Sequence, residues 1–201
     1  MDFPYGETEI AYLRARDLKL GAAMERIGPI HREVDPDLFS SVIHHIIGQQ
    51  VSMAAQRTVW QRLQALGMTR RRALYILEFA RKAASGDFDL DALAEMEDRE
   101  VLARLTSLRG VGPWTAEMLL IFGLRRPDVV SWGDLAILRG MRMLYRKRSI
   151  DQRTFQRLQK RYSPYGTTAS LYLWAIACGA LPELTDPGAG RKPDKKRGRH
   201  T

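Results

Sequence analysis

From about residue 7 to residue 180 the apolar residues of this chain recur at helical spacing, and nowhere do they settle into a sustained alternation. Val59, Leu63 and Leu66 share one helical face, as do Ala73, Leu77, Ala80 and Ala84, then Leu138, Met141 and Tyr145, and finally Leu171, Trp174 and Cys178. Such stripes can face a core only as helices, because a strand would divide the same residues between its two faces. Breakers separate them at Gly28-Pro29, Asp35-Pro36, Gly67, Gly86, Gly110-Val111-Gly112-Pro113, Pro127-Asp128 and Ser163-Pro164. Val129-Val130-Ser131-Trp132 comes nearest to a strand and is too short to build a sheet. No repeat at solenoid periods is present. The pattern predicts an all-α fold of about eight or nine short helices.

At 201 residues, 45% apolar and 27% charged, the chain is long enough for one large domain or two small lobes around a substantial core. A single cysteine, Cys178, excludes a disulfide framework, a four-cysteine zinc site and an iron–sulfur cluster held by four cysteines. His44 and His45 are adjacent, point in different directions on a helix and have no second ligand cluster, which favours a structural role for both. No apolar run approaches membrane-spanning length, and the start Met1-Asp2-Phe3-Pro4 is unlike a signal peptide, so the expectation is a cytoplasmic protein.

The formal net charge of +9 suggests a polyanionic partner. It is unevenly spread: residues 191–199 carry six basic side chains against one acidic. With Pro182, Pro187, Gly188 and Gly190 just before that run, residues 182–201 read as a disordered basic tail on a folded domain of residues 1–181. A solubilising or non-specific polyanion-binding extension accounts for it.

The sharpest local signal lies at residues 105–116. A helix carrying Val101, Leu102 and Leu105, with Asp98 as its expected cap, runs into Gly110-Val111-Gly112. A second helix opens at Pro113, a favoured first-turn residue, and carries Leu119, Leu120 and Phe122. The glycines permit a tight turn and close approach of a phosphate, and the second helix points free N–H groups at the same spot. This suits the gripping of a nucleic-acid backbone without reading sequence. Taken alone, the segment equally fits a plain connection between helices with a glycine cap.

The blocks Leu108-Arg109-Gly110-Val111-Gly112-Pro113-Trp114-Thr115-Ala116 and Ser131-Trp132-Gly133-Asp134-Leu135 together resemble the helix-hairpin-helix (HhH-GPD) DNA glycosylase superfamily, in its 3-methyladenine DNA glycosylase II-like branch. Ile46-Ile47-Gly48-Gln49-Gln50-Val51-Ser52 and the stretch from Pro164-Tyr165 to Tyr172-Leu173-Trp174 are similar to the same family in the same order, so the likeness spans residues 17–181. It implies a two-lobed helical bundle with a cleft between the lobes. The implied function is a monofunctional DNA glycosylase of base excision repair, acting as a monomer on duplex DNA. It would flip an alkylated purine of the 3-methyladenine or 7-methylguanine type into a pocket and hydrolyse its N-glycosidic bond, leaving an abasic site. A non-catalytic DNA-binding module is the alternative, and the trio Asp134, Trp114 and Trp174 separates the two, because a binding module needs no pocket.

By this resemblance Asp134 is the catalytic aspartate, although position alone, before Leu135-Ala136-Ile137-Leu138, makes it an N-cap. A helix N-terminus favours the charged form of a carboxylate, and a fixed negative charge supports a positively charged sugar as a glycosidic bond breaks. Only this one acid is evident, which suits a cationic alkylated base that leaves easily. Members of the superfamily that also cut the backbone have a Schiff-base lysine where this chain has Trp114, so no lyase step is expected. Trp114, Trp174 and Met118 are the implied pocket, with indoles that attract a cationic purine, whereas the residue types alone suggest ordinary core. Trp132 has no family match.

Gln50 matches the residue that fills the gap left by the flipped nucleotide, with Gln49 and Ser52 beside it. Arg109, Gly110, Val111, Gly112 and Thr115 are the implied DNA contacts, with Arg139 and Arg142 as electrostatic support. The carbonyls of Thr106, Leu108 and Val111 match a site for a monovalent cation, Na+ or K+; no cofactor is required and no iron–sulfur cluster is expected. Three departures stand out. The connection from Trp60 to Arg70 is short, Gly166 stands where arginine is common, and with the given sequence starting near the helical core the β-rich N-terminal domain of longer members is not expected in it.

Overall fold

The structure, a computed structural model, describes residues 2–34, 37–38 and 70–188. Eight α-helices lie among the described residues: α1 (Glu7–Arg16), α2 (Leu18–Ile27), α3 (Arg70–Ser85), α4 (Asp98–Thr106), α5 (Pro113–Phe122), α6 (Leu135–Tyr145), α7 (Gln152–Tyr162) and α8 (Gly166–Ala177). A short 3-10 turn, Asp91–Glu95, precedes α4. β pairing among the described residues amounts to one isolated bridge between Asp2 and Glu33, so the all-α expectation holds.

Local chemistry sets the helix ends. Asp17 caps α2, its Oδ1 accepting from the N–H groups of Lys19 and Leu20 at 3.1 and 3.0 Å. Asp151 caps α7 through Thr154 N at 2.8 Å. Proline opens α5, where a missing N–H costs nothing. Asp98 is not the cap of α4: it is the first helical residue, and its carboxylate reaches across to the Arg126 guanidinium at 3.2 Å. That long-range partner competes with the local N–H groups an N-cap would take.

Buried apolar side chains form two clusters. One gathers Phe79, Phe88, Leu93, Val101, Leu105, Leu119 and Ile121 from α3, α4, α5 and the chain between them. The other joins α1, α2, α6, α7 and α8 through Leu13, Leu20, Met24, Ile137, Met141, Phe155, Leu158 and Leu173. Tyr5, Ile30 and Trp174 pack against both. Each fully buried Leu, Ile or Phe contributes about 1.5–3 kcal/mol of transfer free energy, which is why α5 and α8, apolar nearly all round, lie at the centres. Cys178 does not continue the stripe of α8; it is exposed at the helix end.

Within the second cluster α6 and α8 touch backbone to backbone. A Cβ on Gly140 would stand 2.2 Å from the Leu173 carbonyl oxygen, so only glycine fits the crossing. Nearby, buried Asp17 accepts from the Tyr145 hydroxyl and from Arg161 Nη1 at 3.0 Å, tying α2 to α6 and α7.

The segment between α5 and α6 is stitched to the start of α8. Thr167 Oγ1 donates to Arg126 O (2.6 Å) and accepts from Val129 N (3.0 Å), Thr167 N donates to Pro127 O (2.9 Å), and Ser170 Oγ donates to Val129 O (2.9 Å). Buried backbone groups here find side-chain partners instead of a strand, which is the physical reason Val129-Val130-Ser131 is not one. Gly166 belongs to the same joint. Its N–H donates to Asp128 Oδ1 at 3.0 Å, and a Cβ would come within 2.7 Å of that oxygen and 2.8 Å of Val130 Cγ2, so a side chain there would have to displace both.

Residues 182–188 extend the ordered chain beyond the boundary expected at residue 182. Glu183 pairs with Arg26, and Asp186 receives Arg142 Nε and Nη2 at 2.8 and 2.6 Å. The basic run 191–199 lies outside the described residues.

Candidate active site

Two stretches meet at the site, one face of α5 and the loop leading into α6. Trp114 and Glu117 stand one turn apart on α5; Ser131 and Asp134 stand three residues apart on the loop. The indole N–H of Trp114 donates to Asp134 Oδ2 at 2.9 Å. The hydroxyl of fully buried Ser131 donates to Glu117 Oε2. Between the two contacts Gly133 passes close to α5, where a Cβ would sit 3.5 Å from that of Trp114.

Asp134 is 6% exposed and divides its oxygens. Oδ1 caps α6, accepting from Ala136 N at 2.8 Å and Ile137 N at 2.9 Å. Oδ2 is left to the indole. Cap and candidate catalytic carboxylate, alternatives on sequence grounds, are thus compatible in one residue: the helix end holds one oxygen and leaves the other to the indole.

Glu117 was not singled out in the sequence, although its spacing of three from Trp114 puts both on one helical face. Burial pushes its carboxyl above the ordinary value; the Ser131 hydroxyl opposes that shift, and the negative charge of Asp134 adds to it.

The other expected site residues divide. Trp114 and Trp174 are partly buried and both pack on the first apolar cluster, Trp174 stacking on Phe122 with centroids 5.7 Å apart and rings 24° from parallel. Met118 is 3% exposed within the core and does not form a pocket wall; residue type and helical spacing do not distinguish those places. Trp132 is 40% exposed and sets its ring against the edge of Phe155 at 5.0 Å.

At the hairpin, the buried side chains of Leu108 and Val111 anchor the turn, and Val111 N donates to Leu108 O at 3.1 Å. Gly110 adopts φ +87°, and a Cβ there would also strike the Tyr75 ring at 2.3 Å. Its glycine serves the turn and the packing of α3. Gly112, the N-cap of α5, has open space where a Cβ would stand. Arg109 is 72% exposed, with its guanidinium 5.6 Å from the Tyr75 ring centre.

Thr115 is 1% exposed, so it faces the core and not a DNA surface. Arg142 is engaged by Asp186 through Nε and Nη2 at 2.8 and 2.6 Å, which ties up the cationic support expected of it, whereas Arg139 lies 3.9 Å from the same carboxylate and is 54% exposed. Gln49, Gln50 and Ser52, like His44 and His45, lie outside the described residues.

Residues 49–164 match the family model of the HhH-GPD superfamily of base excision DNA repair proteins, and the chain belongs to that superfamily. It is 33% identical over 132 residues to DNA-3-methyladenine glycosylase 1 of Schizosaccharomyces pombe, a match covering 65% of this chain and 57% of that protein. The chain spans about half the length of the relatives it matches. Among solved structures, DNA-3-methyladenine glycosidase of Bacillus halodurans superposes with a TM-score of 0.76 at 29% identity, covering 92% of this chain and 95% of that one. The S. pombe 3-methyladenine DNA glycosylase in complex with abasic DNA shares the fold, with a TM-score of 0.75 at 23% identity over 84% of this chain and 95% of that one.

Proposed function

We propose that this protein is a monofunctional DNA glycosylase that binds duplex DNA as a monomer and excises alkylated purines of the 3-methyladenine or 7-methylguanine type by hydrolysis. The observation that carries the reading is the Trp114–Asp134 pair, a carboxylate clamped at a helix N-terminus with its second oxygen on an indole N–H. A module that only binds DNA needs the hairpin and can use that carboxylate as a cap, but has no use for its second oxygen held on an indole.

In this mechanism the backbone N–H groups at the open end of α5, beside Gly112, hold a phosphate. Trp114 and Trp174 receive the flipped, positively charged base by stacking and cation–π attraction. As the N-glycosidic bond breaks, Asp134 stabilises the developing positive charge on the sugar, and water adds to it. With tryptophan where a Schiff-base lysine would stand, the product is an abasic site in an unbroken strand.

A monovalent cation also belongs to the proposal. The carbonyls of Thr106 and Leu108 lie at the C-terminal, negative end of α4, and hard oxygen donors of this kind with Val111 O suit Na+ or K+. The ion would add positive charge beside a bound phosphate.

The test is a base-release screen on duplex DNA carrying defined lesions. Free methylated purine and alkali-labile sites, without enzymatic nicking, are expected. Absence of release from every alkylated substrate, or covalent trapping on DNA by borohydride, would overturn the reading.

A further inference from the structure

The face of α5 that meets the Ser131–Asp134 loop makes two contacts, and only one involves Asp134. Trp114 holds Asp134, and one helical turn further on Glu117 receives the hydroxyl of Ser131. The residues pair in crossed order, 114 with 134 and 117 with 131, so helix and loop are fastened at both ends of a four-residue span. The second contact is itself sheltered. Ser131 is 0% exposed, Glu117 is partly buried on a helix whose neighbours from Thr115 to Phe122 are otherwise buried, and the intervening Gly133 runs close against Trp114.

We propose that Glu117 is a positioning residue for base excision: acting through Ser131, it fixes the loop on α5 so that Asp134 Oδ2 meets the Trp114 indole and is aimed at the sugar. This rests on the glycosylase reading given above. The α6 cap holds Oδ1 and the indole reaches Oδ2, while the Val129–Ser170 bond and the Trp132–Phe155 contact fix the loop to α8 and α7 and not to α5. A second bond, one turn away on the same rigid helix, removes the remaining rotation. It also explains why a chain with an evident single acid keeps a second carboxylate next to it. Glu117 and Asp134 repel as anions, a cost accepted where the contact sets geometry.

The experiment compares Glu117→Ala, Glu117→Gln, Ser131→Ala and the Glu117→Ala/Ser131→Ala double variant by single-turnover base release, by affinity for duplex DNA containing a stable abasic analogue, and by the NMR resonance of the Trp114 indole N–H. Glutamine keeps an oxygen acceptor for Ser131 and alanine does not. Displacement of a reacting group by about 1 Å can cost on the order of 100-fold, so Glu117→Ala and Ser131→Ala are expected to slow release by roughly 10- to 100-fold with DNA affinity held within about 3-fold. The double variant should be no slower than the slower single variant, because one shared contact is lost once. Glu117→Gln should keep most of the rate, and the indole resonance should move in both alanine variants and stay in place in Glu117→Gln.

Full activity in Glu117→Ala, a loss confined to DNA affinity, or an indole resonance indifferent to both alanine variants would overturn the proposal. Equal losses in Glu117→Gln and Glu117→Ala would overturn it too, because charge and not the hydrogen bond would then matter. If the wild-type chain releases no base, the glycosylase reading fails, and the indole resonance still decides whether Glu117 sets the Trp114–Asp134 contact.

Discussion

Trp114 and Asp134, twenty residues apart in sequence, share a 2.9 Å hydrogen bond that joins the first turn of α5 to the cap of α6. The indole therefore has two separable properties, an aromatic face and a donor. Trp114→Phe keeps the face and removes the donor. Loss of the donor frees Oδ2 to rotate away, and a slowing of base release by about 10- to 100-fold is expected, with DNA affinity little changed. Single-turnover kinetics beside a binding titration will check this; wild-type release in the variant would show that the bond is incidental to catalysis.

Asp134 carries the cap and the candidate chemistry on different oxygens, so two substitutions divide them. Asp134→Asn retains a good N-cap and loses the charge, and base release should fall below detection while folding and DNA binding persist. Asp134→Ala loses both, and should cost a further ~1 kcal/mol of stability. Thermal melts of the two variants side by side, with release assays, measure the difference; release that survives in Asp134→Asn would remove this residue from the chemistry.

Gly140 sits where α6 and α8 approach through their backbones, with the Leu173 carbonyl 2.2 Å from any added Cβ. Backbone cannot swing aside as a flexible side chain does. Gly140→Ala should therefore cost about 1–3 kcal/mol or more by overpacking, visible as a lower denaturation midpoint. An unchanged midpoint would mean that the helices separate at little cost.

Glu117 gives the fold a pH dependence of known sign. Burial first, and the Asp134 charge after the opposing Ser131 donor, hold its carboxyl above the ordinary value, so the folded chain binds this proton more tightly than the unfolded chain. Its contribution is therefore fully present on the acid side of the ordinary glutamate range and is lost as pH rises through the raised value. Glu117→Gln does not titrate, and its melting temperature should gain on the wild type as pH is raised above the ordinary glutamate value and through the elevated one. A gap between the two proteins that stays constant across that range would refute the assignment.

Much of this was legible from residue order. The helical stripes, the turn at Gly110 and the cap at Asp134 all rest on interactions within a few residues, and local spacing reports them well. Local spacing gives way where a distant partner intervenes. Asp98 left its expected cap for Arg126, Arg142 turned from solvent to Asp186, and Pro182–Gly188 became ordered through that same pair and Glu183–Arg26. Met118 and Thr115 were expected at the pocket and the DNA surface, but α5 is apolar nearly all round, and period alone does not say which side of such a helix meets the ligand.

Sequence by itself determined the all-α class, the hairpin between α4 and α5, and the identity of the acid at the head of α6, because period, glycine conformation and capping are local properties of the chain. Tertiary structure decided how that acid is held. The indole of Trp114 and the Glu117–Ser131 contact reach it only after α5 has packed beside the 131–134 loop, and that depends on two buried clusters and on the stitching of residues 126–131 to α8. A cap needs three residues of sequence; an aimed carboxylate needs the whole fold behind it.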